Sequence, residues 1–305
     1  MICGVCRDAR GEWAMVTLCA EPGGFECTEI AEVARADRRG LGVVAGDAAG
    51  GDALGAAGGD ARATVRGDRA APILRAGPDG LDVRLRGATL RARFSARRDW
   101  PRRAFGALGP AQVVPGLGQY WTPHLLSATV GGDARLGDRT LSLDGAAVYG
   151  EKNWGAAFAA HWWWGQAAFE EGAGAAFAGG RLGAGGPAFA APLRRLGASV
   201  APTAVAVWTP GGLVALAPPF ARTVARASGG EWHIAARSPR HRVELRGEAS
   251  GPPLRLPVPV PAERRLEARS EHHLAGRLQV TVHRGRRLWL RADSGLAGLE
   301  DGRPG

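Results

Sequence analysis

Leu278-Gln279-Val280-Thr281-Val282-His283-Arg284-Gly285-Arg286-Arg287-Leu288-Trp289-Leu290-Arg291 is the stretch that decides the fold. Apolar and polar residues alternate on both arms, so each arm turns one face to a core and one to water, as a half-buried strand does. Arg284-Gly285-Arg286 puts a glycine where a hairpin must reverse. The same period of two runs through Leu81 to Arg86 and Arg242 to Arg246, and Thr203 to Trp208 and Thr140 to Leu143 read as further strands. Turn chemistry punctuates the chain at Gly77-Pro78-Asp79-Gly80, Gly131-Gly132-Asp133, Pro210-Gly211-Gly212 and Ser228-Gly229-Gly230. No helical period is sustained. Short strands joined by Gly-rich turns predict an all-β fold of antiparallel barrels or sandwiches.

Three segments depart from this pattern. Residues 45–60, almost entirely Ala, Gly and Asp, read as a loose loop. Within the Ala- and Gly-rich residues 172–191, Phe177 to Leu182 reads as a hairpin. Pro252-Pro253, Pro257, Pro259 and Pro261 mark an extended link that cannot lie in a central strand.

With 305 residues and 45% apolar content, the chain can build one large core or two ordinary ones. No apolar run is long enough for a spanning helix. Met1 to Arg7 lacks the features of a leader, and a cytoplasmic location is expected. The net charge of +10 raises the question of an acidic partner. Yet 38 of the 39 basic residues are arginine, spread along the whole chain, which fits coding bias better than a binding stripe. The expectation is a solvated surface that also suits peripheral contact with an anionic membrane, and no nucleic-acid partner. Cys3, Cys6, Cys19 and Cys27 crowd the N-terminal end without a nearby histidine and read as small strand residues rather than a zinc site. His272-His273 lacks a second ligand cluster and reads as surface.

Against this biased composition, Lys152 and Asn153 are the only lysine and asparagine, and both tyrosines, Tyr120 and Tyr149, lie nearby. Residues 115–166 carry an ordered set: Gln119-Tyr120-Trp121-Thr122-Pro123-His124, a turn at Asp144-Gly145, Tyr149-Gly150-Glu151-Lys152-Asn153-Trp154-Gly155, and His161-Trp162-Trp163-Trp164-Gly165-Gln166. This set resembles the tocopherol cyclase family. Thinner likeness continues through Trp232-His233-Ile234-Ala235 to Asp293 through Glu300, so that roughly residues 100–305 are covered. More distantly, Tyr149, Glu151 and Trp154 resemble positions of the carotenoid hydratases, which are built from two lipocalin-like barrels.

The resemblance implies two lipocalin-like antiparallel β-barrels, expected over residues 1–155 and 156–305. Ile2-Cys3-Gly4-Val5 is unlike the aromatic strand that opens other members, so the first barrel is expected to lack its opening strand. The implied activity is acid-catalysed closure of a prenylated quinol, or related terpenoid, to a chromanol. A proton adds to a trisubstituted alkene and a phenol oxygen attacks the tertiary cation, with no metal, nucleotide or other cofactor.

Such chemistry needs a buried acid, a group that orients the phenol, and a dry pocket with electron-rich walls. Alternation puts Tyr149, Glu151 and Asn153 on one face of a strand and Lys152 and Trp154 on the other. If the first face lines a barrel lumen, burial keeps Glu151 protonated and able to donate. Tyr149 and Asn153 then bond the acid or the substrate, and His124 is the candidate relay or phenol orienter. Tyr120, Trp121, Trp154, Trp162 and Trp164 are the candidate substrate-binding aromatics, each cation contact contributing about 0.5–2 kcal/mol when desolvated. Trp162, Trp163 and Trp164 cannot all face one way, so at least one belongs to packing. Lys152 reads as a rim charge, and His124 suits a structural role almost as well. The same residues leave two other outcomes open: a protein that holds a lipophilic molecule unchanged, and an alkene hydratase.

Overall fold

A computed structural model describes residues 1–37, 40–46, 73–101, 106–113, 119–155, 159–181, 201–260 and 263–303. Among them the regular structure is β-strand, with short 3-10 turns at Gly109–Val113 and Glu170–Gly172 and no α-helix. No helix among these residues is long and apolar enough to cross a membrane. Two units emerge, each assembled from separate stretches: Met1–Arg97, Ala128–Val148 and Val258–Glu267 in one, and Arg98–Ser127, Tyr149–Pro257 and Ala268–Gly305 in the other. They interleave along the chain, where contiguous parts meeting at residue 155 were expected.

In the first unit, β1 (Ile2–Asp8), β2 (Gly11–Ala20) and β3 (Phe25–Ala31) form an antiparallel sheet. A second sheet runs in order through β4 (Val33–Ala36), β5 (Val43–Gly46), β6 (Leu74–Gly77), β7 (Gly80–Leu85), β8 (Ala88–Asp99), β9 (Gln119–Leu136) and β10 (Arg139–Ser142), with β11 (Ala146–Gly155) also on β9; residues 119–127 of β9 and 149–155 of β11 belong to the second unit. Val16 and Leu18 of the first sheet share a core with Leu74, Val83, Leu85 and Leu136 of the second. Each such fully buried side chain contributes about 1.5–3 kcal/mol. The four cysteines lie on β1, β2 and β3 with free thiols, and burial pushes Cys3 up to about 12 and Cys6 to about 11. Among the described residues, no His, Cys, Asp and Glu group is placed to hold a metal ion.

The second unit carries β12 (His161–Ala168), β13 (Gly174–Arg181), β14 (Thr203–Thr209), β15 (Gly212–Leu216), β16 (Arg222–Ser228), β17 (Glu231–Arg237), β18 (His241–Glu248), β20 (Arg265–Arg284) and β21 (Arg287–Gly302). The order is β15-β14-β13-β12-β21-β20-β18-β17-β16, and β16 returns to meet β14. The result is a nearly closed antiparallel barrel, and the described residues have the all-β architecture expected of the chain. The proline-bearing β19 (Leu254–Val260) pairs β20 off this path, in keeping with its missing N–H donors. Alternation on β17 and β18 is strict, every second residue buried. The lumen is filled by Trp163, Phe177, Val205, Trp232, Leu245 and Leu299, among others.

Two segments fold differently from their sequence reading. Gly131-Gly132-Asp133 is not a turn: β9 runs straight through it, and the reversal comes at Gly137-Asp138. Gly132 has φ +140, and a Cβ there would meet the Arg91 carbonyl oxygen at 2.1 Å, so the glycine permits a close strand approach. Phe177 to Arg181 is not a hairpin but the second half of β13, a central strand between β12 and β14. Its small residues make room for indoles, since a Cβ on Gly174 would meet Trp208 at 2.3 Å and one on Gly179 would meet Trp163 at 2.5 Å. The loop expected over residues 45–60 lies outside the described residues beyond Gly46.

Candidate functional site

β11 brings Tyr149, Glu151 and Asn153 together as the period of two requires. The Tyr149 hydroxyl donates to Glu151 Oε2 at 2.7 Å, and Asn153 Nδ2 donates to Oε1 at 3.1 Å. Two further donors come from distant strands: Trp121 Nε1 of β9 at 2.7 Å and Trp164 Nε1 of β12 at 2.8 Å, both to Oε2. Three donors therefore converge on one carboxyl oxygen and one on the other. Trp164 lies close over Gly298 of β21, where an added Cβ would stand 3.2 Å from the indole.

The face that carries this group is the outer one of the barrel. Trp163 points into the filled lumen, so its neighbours Trp162 and Trp164 point out. The lumen is therefore not the setting of Glu151. On the same outer face Ala176, Ala204, Ala206 and Trp208 pack with Trp100, Trp121 and Leu126 into a second apolar cluster, and Tyr149 packs against it. Tyr149 stacks on Trp208 with ring centroids 5.8 Å apart and planes 8° from parallel. Trp208 Nε1 is buried and has no hydrogen-bond partner among the described residues.

This setting governs the charge states. Burial pushes the Glu151 carboxyl above the usual carboxylate range, and the bonds from Trp164, Tyr149, Trp121 and Asn153 pull against it without cancelling it. The Tyr149 phenol is driven well above its ordinary value, first by burial and then by the adjacent Glu151 charge. Glu151 is thus a carboxylic acid that tends to keep its proton, and Tyr149 is a neutral donor. With Oε2 engaged by three donors, the acidic proton belongs on Oε1, where Asn153 can present its amide oxygen as readily as its nitrogen.

The remaining expected residues fall around this core. Tyr120 stacks on Trp154 at 5.6 Å and 16°, with Trp154 41% exposed. His124 lies three residues beyond Trp121 on β9. Its backbone carbonyl accepts from the Trp100 amide at 3.0 Å. Trp162 goes elsewhere, its Nε1 donating to Glu300 Oε1 at 2.6 Å.

Sequence reasoning missed that second carboxylate. Ser270 Oγ donates to Glu300 Oε1 at 2.5 Å, His272 Nε2 lies 3.3 Å away, and the Glu300 carbonyl accepts from Trp232 Nε1 at 3.0 Å. Burial favours the neutral acid here, but the His272 charge and the bonds from His272, Ser270 and Trp162 outweigh it and hold Glu300 down to about 2. Beside it, His161 Nε2 bonds Asp301 at 2.7 Å. His272 and His273, expected on the surface, are each only 8% exposed. Glu300 stands directly across from Trp164 in the β12–β21 register, so the indole bonded to Glu151 borders the second carboxylate as well.

Comparison with known proteins follows the same residues. A family model described as tocopherol cyclase-like matches residues 122–303, more than half of the chain. No curated protein matches it. Among solved structures, a protein assigned as AttH from Nitrosomonas europaea is 14% identical, with a TM-score of 0.46 over 96% of this chain and 81% of that one. Kievitone hydratase from Nectria haematococca is 12% identical, with a TM-score of 0.40 over 97% of this chain and 86% of that one. At these scores neither structure carries an argument about this chain.

Proposed function

This chain belongs to the tocopherol cyclase-like family, and from that premise we propose that it protonates an isolated alkene of a lipophilic terpenoid and closes a ring on the resulting cation. The substrate class is a prenylated quinol, and the product a chromanol. Glu151 is the acid. The observation that supports this reading best is the unequal hydrogen bonding of its two oxygens.

Oε1 delivers the proton to the less substituted alkene carbon, which leaves a tertiary cation. The negative charge left on the carboxyl settles on Oε2, where the Tyr149, Trp121 and Trp164 donors are already in place and need no reorganisation. The substrate hydroxyl oxygen then attacks the cation, forms the ring C–O bond and gives up its proton to the Glu151 carboxylate, which restores the acid. Indole faces stabilise the cation. Because burial raises Glu151, its acid form persists to higher pH, and turnover falls on the alkaline side as the carboxyl ionises.

The test is incubation of the purified protein with a geranyl-substituted hydroquinone, followed by chromatography and mass spectrometry. Cyclisation gives a product of unchanged mass and new retention time. A gain of one water selects hydration, and recovery of bound, unaltered quinol selects a binding protein. Glu151→Gln should lower turnover by about 10²-fold or more. Full turnover by that variant would sink the assignment of the acid.

A further inference from the structure

Folding gathers arginines that the sequence scatters. The register sets Arg222 of β16 opposite Arg237 of β17, and Arg237 opposite Arg242 of β18. The row continues to His283 of β20 and Leu288 of β21. Directly paired residues have Cβ atoms about 4.5–5.5 Å apart, and like charges in that position repel. The three guanidinium groups cannot turn inward, because the alternate positions Ala236, Val243 and Val282 fill the barrel.

All three arginines are exposed, and the turns at this end of the barrel add exposed Arg240, Arg284 and Arg286. The row two residues further along contains Glu244, 3.8 Å from Arg242, and beyond it Arg226, His233 and Arg246 stand side by side. At the opposite end of the same strands Glu231 faces Glu248, so the charge separates along the barrel wall. His241, within the basic end, is held below its ordinary value by burial and then by Arg284 and Arg240. Apolar side chains stand among these cations: Phe220 is 68% exposed, Val224 48% and Leu288 46%.

We propose that this end of the barrel docks on the surface of an anionic phospholipid bilayer. Guanidinium groups pair with lipid phosphates, and their mutual repulsion is relieved when they do. Phe220, Val224 and Leu288 reach the boundary between headgroups and acyl chains, a contact that a nucleic-acid backbone does not offer. This assignment stands on the arginine register and does not depend on the chemistry at Glu151.

Vesicle flotation tests it, with phosphatidylcholine vesicles compared with vesicles containing about 30% phosphatidylglycerol. The parent chain should float with the anionic vesicles alone, and about 0.5 M salt should release most of it. R222Q/R237Q/R242Q should bind at least about tenfold more weakly while its thermal midpoint stays level or rises, since the repelling row is gone. F220S/L288S should retain less binding than the parent at intermediate salt. Failure of the parent to prefer anionic vesicles, or unchanged binding by the triple variant, overturns the proposal. So does tighter binding to a short DNA duplex than to the vesicles.

Discussion

At Glu151 the two carboxyl oxygens live in different surroundings, and substitutions there should separate structure from chemistry. Glu151→Gln keeps an acceptor for Tyr149, Trp121 and Trp164 and an amide that Asn153 can meet by turning its own. Glu151→Ala strands three donors, the buried Trp121 and the half-buried Tyr149 and Trp164, each at up to about 1–3 kcal/mol. The glutamine variant should therefore match the parent in chemical denaturation and lose activity, while the alanine variant should lose several kcal/mol as well. Tyr149→Phe removes one donor from Oε2 and leaves the Trp208 stack in place. Its expected effect is about a tenfold loss in kcat/KM with the alkaline limb of the pH–rate profile moved upward, because the carboxylate has lost a stabilising bond. A limb that stays in place would mean that the phenol acts on substrate alone.

At the scale of elements, glycines in central strands mark where large side chains lie across their neighbours. A Cβ on Gly165 of β12 would stand 2.5 Å from Phe177 and 2.8 Å from Leu299, inside a filled barrel. Gly165→Ala should lower stability by about 1–3 kcal/mol, read as a fall in the urea midpoint at constant slope. Such packing also explains what could be read from sequence. The hairpin over residues 278–291 was legible because half-buried strands write their burial as alternation. Gly131-Gly132-Asp133 misled because a turn and a tight strand approach demand the same residue types. Tyr149, Glu151 and Asn153 share one strand, so spacing alone assembled them. Ser270, His272 and Glu300 reach the site through the β12–β21 register, which joins positions more than 100 residues apart, as in the pairing of Trp162 with Gly302, and Trp208 comes from β14, 59 residues beyond the tyrosine it stacks on. No local pattern encodes that pairing. The likeness over residues 115–166 identified the family and the chemistry to expect, but it did not say which face of which sheet would carry Glu151.

For the molecule as a whole, two buried carboxyls pull its pH dependence in opposite directions. Glu300 sits at about 2 against an ordinary 4.5, so its contribution, about 3 kcal/mol, is present above 4.5 and lost as pH falls from there towards 2. Glu151 is raised, so it weighs against the fold once pH climbs above its unfolded value of 4.5, and most above its folded one. Urea midpoints measured across pH should show Glu300→Gln losing the acid-side slope and Glu151→Gln gaining on the parent as pH rises. Parallel curves for all three chains would contradict both assignments. The donors on Glu151 Oε2 also give the acid its own indicator. Two of the chain's ten tryptophans point their indole N–H at that oxygen. Loss of the carboxyl proton must deepen the hydrogen bonds from Trp121 and Trp164, shifting two indole resonances downfield in a nitrogen-edited spectrum while most of the other eight stay still. The protonation state of the proposed acid can thus be followed with no substrate present, on signals that belong to the two side chains holding it.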